Sequence, residues 1–250
     1  MKDVGEFEQR NKEFDNKFDR DKIIKSIAAS DDPVIFDIGA HHGESIDYLR
    51  GLFPFSVIYS FEPDPDSFSI LSHKQSTNNK LYNLAISDIS GPSVFYRNKI
   101  SHTNSLNKVN INSQDSIRAK NEKLVQNSSY LKEINNEINI NAITLDDFLE
   151  DHSIKVIDLL KVDVQGAEEK VFKGAVNSLA KIQAIIVEIS LYDFYENGTS
   201  FLDIENCLFP AGFELFSILD ISQNPMNGRT DWVEVLYKKK LIRKSLKWKY

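Results

Sequence analysis

Four carboxylates stand where apolar runs end: Asp37 in VIFDIG, Glu62 in VIYSFEP, Asp163 in IDLLKVD and Glu188 in AIIVEIS. Short runs of Val, Ile and Leu read as buried strands, and the C-terminal ends of such strands are where α/β sheets hold their ligands. The first run leads into Gly39-Ala40-His41-His42-Gly43 and then a helical pattern. Gly39 and Gly43 let a backbone pass close to a ligand, and a helix N-terminus favours negative groups. A pyrophosphate-binding turn carries a glycine where His41 sits. The wider turn beside Asp37 suits a ligand with an amine and a carboxylate instead.

Glu62 follows the turn by about 20 residues, the position from which a carboxylate accepts both hydroxyls of a ribose. S-adenosylmethionine combines these parts. His41 and His42 lie in the turn, and either can serve as a base near neutral pH. Asp163 and Glu188 end neighbouring strands and can orient an acceptor. They are too few oxygen ligands for a divalent ion, so no metal is expected. Asp231 precedes the last strand on the ligand side of the sheet, and Tyr192, Phe194 and Tyr195 follow the fifth strand; these are candidate walls of an acceptor pocket. Glu168 and Glu169 open a helix whose N-terminus explains them without a catalytic role. His73, His102 and His152 read as solvated. The sequence has no G-K-[ST] and no G-x-S-x-G.

The elements around these residues alternate. Residues 3–30 read as helix, with Phe7, Phe14, Phe18, Ile23, Ile24 and Ile27 at helical spacing. Strand, helix with Gly51 as its stop, strand, and a Pro65-initiated helix follow. KLYNLAIS is read as a third strand and GPSVFYR as an edge strand. After Thr144 opens a helix, a fourth strand, a helix, a fifth strand and a helix near 200–209 come in turn. FELFSIL and WVEVLYKK close the chain with no helix between them, so the last strand is expected to enter antiparallel. The pattern is a doubly wound α/β sheet in one domain over 31–237.

Composition bounds the rest. A chain of 250 residues, 41% hydrophobic, can bury one large core. The net charge of −7 conceals a basic tail, KKKLIRKSLKWKY (238–250), with seven Lys/Arg and no acid; the remainder carries 23 bases against 37 acids. Such an acidic body argues against nucleic-acid binding, while the tail offers a contact for an anionic membrane surface or an acidic partner. The single cysteine, Cys207, excludes an intramolecular disulfide. The charged N-terminus has no apolar signal core, so the cytoplasm is the expected compartment. Residues 98–141, rich in Asn, Ser and Lys, read as a variable insert forming a mobile lid over the acceptor side.

FDIGAHHGES, SFEPDPDSF, NLAISDISG, NSLN, ITLDDFL and above all IDLLKVDVQGAEEKVFKGA occur in the order and spacing of the FkbM family of class I methyltransferases, which the chain resembles from about residue 33 to DWVEVLYKK. The resemblance implies a Rossmann-like, mostly parallel seven-stranded sheet with one antiparallel strand near the C-terminus, and S-adenosylmethionine as methyl donor. It further implies cofactor contacts at Asp37, Gly39, Ala40, Gly43, Glu62 and Pro63, and at Ala85, Ser87 and Asp88 near the adenine. Asp163 falls beside the methionine end, and His42 and Glu188 join it as candidate catalytic residues. Asp231, Tyr192 and, in NSLN, Ser105 are candidate acceptor contacts. Two departures stand out: Gln165 where many members have Glu, and the insert between Asn107 and Asn139. The expected activity is O-methylation of a hydroxyl on a sugar, glycan or natural product. The rival readings are a nucleotide-dependent oxidoreductase and a non-catalytic scaffold of the same fold.

Overall fold

The computed structural model describes residues 4–27, 32–113 and 133–240. Strands β1 (Val34–Ile38), β2 (Val57–Phe61), β3 (Asn79–Tyr82), β7 (Ile157–Val162), β8 (Ile182–Ser190), β9 (Phe213–Gln223) and β10 (Thr230–Lys239) form one sheet in the order β3-β2-β1-β7-β8-β10-β9. The first five pair in parallel, while β10 runs antiparallel to both β8 and β9. A hairpin can join only antiparallel strands, so the absence of a helix between β9 and β10 sets this geometry. A second, three-stranded sheet, β4 (Ala85–Ile86), β6 (Asn136–Ile143) and β5 (Gly91–Arg97), has the order β4-β6-β5.

Alternation along the central strands sends side chains to two cores. On one face Phe36, Ile38, Leu160, Val162, Ile185 and Val187 pack on α5 (Leu145–Asp151), α6 (Glu168–Lys173) and α7 (Phe201–Leu208). On the other, Ile35, Ile58, Leu159, Ala184, Ile186 and Leu236 pack on α2 (Arg20–Lys25) and α3 (Glu44–Leu52). Burying a single Ile or Leu side chain in such a core is worth roughly 1.5–3 kcal/mol. Helix α4 (Pro65–Leu71) starts with Pro65 in its first turn and Asp64 as its cap. Thr144 and Ser200 cap α5 and α7 through their side chains.

Several elements differ from the sequence expectation. The N-terminal segment is two helices, α1 (Val4–Lys17) and α2, because the Asp19 side chain accepts a hydrogen bond from Lys22 N at 2.8 Å and begins a new helix. Gly51 does not stop α3, which continues to Leu52 and is closed by Phe53 N donating to Leu49 O. KLYNLAIS is divided: β3 stays in the large sheet and β4 crosses to the small one. The described part of 98–141 is largely ordered, with a 3-10 turn at Ser101–Thr103 and most of β6, which begins at Asn136 and runs on to Ile143. Residues 114–132 of the expected lid and 241–250 of the basic tail lie outside the described residues. No helix among the described residues is long and apolar enough to cross a membrane.

Candidate active site

A cavity of about 310 Å³ opens at the C-terminal ends of β1, β2 and β7. Gly39, Ala40, His41, Glu62, Asp163 and Gln165 form its strand-end wall, and Ser101, His102, Asn104 and Leu106 face them from the segment after β5. Pro63, Leu84, Ala85 and Ile86 make an apolar flank. A volume of this size falls at the lower end of small-molecule sites.

The glycine turn is built for close approach. Gly39 N and Ala40 N both donate to Phe61 O at 3.0 Å, which folds the turn over the end of β2. Gly39 has φ +87°, and a Cβ there would lie 1.9 Å from Asp163 O, so no other residue fits between β1 and β7. His41 adopts φ 47°, an uncommon conformation for a residue with a side chain, and thereby aims its backbone N–H at Glu62 Oε2, 2.8 Å away. Asp64 N donates to Glu62 Oε1 at 2.8 Å. Each Glu62 oxygen thus accepts one backbone N–H, and an ionised carboxylate has about four lone-pair sites. Burial pushes the Glu62 carboxyl up to about 7, against the pull of these two bonds.

Asp37, Lys161, Asp163, Glu188 and Glu234 share one sheet face, as the register places Asp37 beside Lys161 and Glu188 beside Glu234. Asp37 is fully buried and neither oxygen has a hydrogen bond; Lys161 Nζ stands 3.9 Å from its Oδ1 and 3.1 Å from Asp163 Oδ2. Burial raises Asp37 to about 6, and it raises Glu188 to about 8 with the Asp163 charge adding to the effect. Lys161 is pushed up by the neighbouring Asp163 and Asp37 charges, which outweigh its burial, and stays charged. Arg20, reaching in from α2, binds Glu234 through Nε and Nη2 at 2.7–3.0 Å.

Gln165 ties this set to the cavity. Its Nε2 donates to Asp163 Oδ1 at 2.8 Å and Glu188 Oε1 at 3.2 Å, and its Oε1 lies 3.0 Å from the Tyr195 hydroxyl. An amide here separates two acids that a third carboxylate would crowd. Gln165 (φ 57°) and Gly166 (φ 87°) make a left-handed turn, with the Tyr195 ring 2.6 Å from where a Gly166 Cβ would lie. Glu168 Oε1 accepts Gly166 N at 3.0 Å, and burial lifts this carboxyl to about 7.

The opposite wall is braced by asparagines. Asn98 Nδ2 donates to Thr103 O and Asn104 Oδ1 accepts from Asn98 N, both at 2.7 Å. Asn104 Nδ2 donates to Asp64 Oδ2 at 2.7 Å, and Asn107 Nδ2 to Gly166 O at 2.6 Å. Asn135 accepts from Val109 N and donates to Val109 O. His41 Nε2 is 2.9 Å from Ser101 Oγ, joining the two walls.

Of the residues expected from sequence, Gly39, Ala40, Glu62, Pro63, Ala85 and Asp163 lie on the cavity wall. Asp37 and Glu188 stand behind it. Gly43 (φ 88°) caps α3, its Cα facing the Lys74 side chain. Ser87 is buried and donates to Asp88 Oδ1 at 3.0 Å, and neither lines the cavity. Ser105 is also buried, accepting from Asn107 N at 3.0 Å. Asp231 binds Arg229 at 2.8 Å and Tyr192 lies under the Arg229 guanidinium, both away from the cavity.

His42 stacks on His41 at 3.6 Å, and it is His41 that faces the cavity. Burial, with His42 beside it, lowers the His41 pKa and so favours the neutral ring. His41, His42 and Glu44 each bring a ligand atom within 4.8 Å of the others, a group that can hold a metal ion. His102, read as solvated, is exposed and also lines the cavity, while the exposed His152 stacks on Phe148 at 4.0 Å. Sequence reasoning missed Lys161 and Asn104, and marked Gln165 only as a departure from the family pattern, without a place in the site. For Lys161 the available signal was its spacing of two from Asp163, which puts both on one face of a strand.

The chain is 29% identical over 206 residues to the 2-O-methyltransferase NoeI of Sinorhizobium fredii, covering 76% of this chain and 80% of that protein. It is 29% identical over 163 residues to Methyltransferase 1 of Beauveria bassiana, covering 62% of this chain and 63% of that one. The crystal structure of Methyltransferase FkbM from Methylobacillus flagellatus shares the fold with a TM-score of 0.50 at 15% identity, covering 83% of this chain but only 44% of that one. The family description Methyltransferase FkbM domain matches residues 37–215, which take in the glycine turn, Glu62 and the Asp163–Gln165 turn. The chain therefore belongs to the FkbM methyltransferase family.

Proposed function

We propose that the protein is an S-adenosylmethionine-dependent O-methyltransferase whose acceptor is a hydroxyl of a sugar, glycan or natural product. The observation that carries the reading is Glu62. Its two oxygens are held by His41 N and Asp64 N on the cavity wall, and their remaining lone pairs suit the two hydroxyls of a ribose. The apolar flank of Pro63, Leu84 and Ile86 suits an adenine ring. Asp163, with Glu188 behind it, suits an ammonium and a sulfonium. The unbonded oxygens of buried Asp37 add to a negative field on that side. These residues fit the donor, and the donor set is the chemistry of a cation with a ribose.

S-adenosylmethionine supplies a methyl group on a sulfonium when bound. The protein's part is to hold an acceptor hydroxyl in line and exclude water. His41, neutral and on the wall, is the residue placed to take the hydroxyl proton. The likeness to NoeI, named a 2-O-methyltransferase, favours oxygen as the methylated atom.

Titration calorimetry and thermal shift with S-adenosylhomocysteine and, in parallel, NAD test the cofactor. S-adenosylhomocysteine is expected to raise the melting temperature, corresponding to about 2.7 kcal/mol of added stability at a hundredfold excess over Kd. A shift with NAD and none with S-adenosylhomocysteine would overturn the reading. Mass spectrometry of candidate glycans incubated with enzyme and donor, reading a gain of one methyl on oxygen, tests the acceptor.

A further inference from the structure

Helix α1 has no place in the site, and its surface is unusual for a helix of 14 residues. Gly5 and every residue from Phe7 to Phe18 are exposed. That includes three aromatics, with Phe7, Phe14 and Phe18 at 50%, 49% and 43% exposure. An isolated helix this short is marginal in water, and helices of this kind are normally held by packing of an apolar face.

Val4, Phe7, Asn11, Phe14 and Phe18 follow one another at spacings of three, four, three and four residues. This is the a-d-a-d-a pattern of a coiled-coil seam, with a polar Asn at one a position. Phe18, the first residue beyond α1, continues the seam by donating its backbone N–H to Phe14 O at 2.8 Å, and the two rings already touch, their centroids 5.5 Å apart. Flanking the seam, Glu8 and Asp15 fall at e positions and Arg10 and Lys17 at g positions. The Gln9–Glu13 hydrogen bond lies on the far side of the helix.

The charges choose the partner and its direction. In a parallel pair the g residue of one helix faces the e residue of the next heptad on the other, which sets Arg10 against Asp15. In an antiparallel pair g faces g and e faces e, which sets base against base and acid against acid. A second copy of the same helix, parallel and in register, therefore satisfies both the seam and its flanks. It also lets the two Asn11 side chains meet across the axis, the arrangement by which a buried Asn fixes register in two-stranded coils. We propose that α1 is a dimerisation helix, forming a parallel two-stranded coiled coil with α1 of a second copy of this chain.

A seam of two heptads buries less than the roughly 1,200–2,000 Å² of a standard interface, so the dimer depends on protein concentration. Sedimentation equilibrium of the full chain across a concentration series tests it. The expected result is a monomer–dimer equilibrium whose Kd rises roughly tenfold or more in Phe14→Ala, the loss of a central aromatic anchor. Arg10→Glu is expected to raise Kd roughly threefold by placing acid against acid, and adding Asp15→Lys to it should restore the original value. All three positions are exposed, so an unchanged melting temperature confirms that the variants fold. A monomer at every concentration overturns the proposal, as does a dimer indifferent to Phe14→Ala and Arg10→Glu. Monomers that sediment with phosphatidylcholine–phosphatidylserine vesicles through α1 would assign the apolar stripe to lipid instead.

Discussion

The two walls of the cavity are made by different means. The strand-end wall hangs on β1, β2 and β7, whose apolar residues are locked into the two cores and whose C-terminal ends open onto the cavity. The facing wall, 98–113, contributes few core side chains. It is held by asparagine amides bonded to backbone groups: Asn98 to Thr103, Asn107 to Gly166, Asn135 to Val109. Strand packing fixes the first to a position that substitutions elsewhere hardly move. Individual hydrogen bonds of roughly 1 kcal/mol each fix the second, so single substitutions can loosen it.

The sharpest way to break this contrast is Gly39→Ala. Its Cβ would meet Asp163 O at 1.9 Å in a left-handed backbone, and the variant is expected to lose about 3 kcal/mol or more of stability. Urea denaturation checks this; a loss under 1 kcal/mol would show the β1–β7 junction to be soft. Glu62→Ala comes next, with roughly 1.5–3 kcal/mol lost from S-adenosylhomocysteine affinity in a folded protein, read by titration calorimetry. Unchanged affinity would place the ribose elsewhere.

Gln165→Glu removes the donor between Asp163 and Glu188 and adds a third acid. Asp37, Glu62 and Glu188 have folded pKa values of about 6, 7 and 8, above their ordinary values. Their contribution to stability is therefore full below pH 4 and lost as pH rises to about 8. The ligand-free protein should melt progressively lower over that range. Gln165→Glu should steepen the fall by about 1.4 kcal/mol for each further unit of pKa shift, with little effect at pH 5. A parallel pair of melting curves against pH would count against the role given to Gln165. The smallest effect belongs to the other wall: Asn98→Ala should cost about 1 kcal/mol of stability and leave S-adenosylhomocysteine affinity unchanged. If that affinity drops tenfold, the walls are not independent.

The same contrast governs what can be read in the sequence. Strands β1, β2, β7 and β8 and the carboxylates at their ends follow from local apolar runs, and Glu62 from its distance to the turn. The antiparallel last strand follows from a missing helix. Lys161 escapes such reading, because its environment is set by register with Asp37 on a strand more than a hundred residues earlier in the chain. Gln165 escapes because its left-handed backbone is imposed by Tyr195 and Thr199 packing around Gly166. The asparagines of 98–113 look like loop composition. Their partners lie 37 residues away for Asn98 with Asn135 and 59 for Asn107 with Gly166. Richness in Asn was itself the available signal, since its short amide readily replaces backbone partners.

Strand β10 carries a consequence for how the molecule is made. It lies between β8 and β9, so β9 joins the sheet only through it, and Glu234 on β10 is the anchor that Arg20 grips from 214 residues earlier. During synthesis, β9 must wait unpaired beside an open β8 edge until β10, ending at Lys239, has left the ribosome. Arg20 of α2 is likewise without its Glu234 counter-charge until that moment. Completion of the fold is thus a late, non-local event in which one hairpin closes both ends of the domain at once, and a chain stalled before it presents a sticky, unfinished sheet to chaperones and to its neighbours.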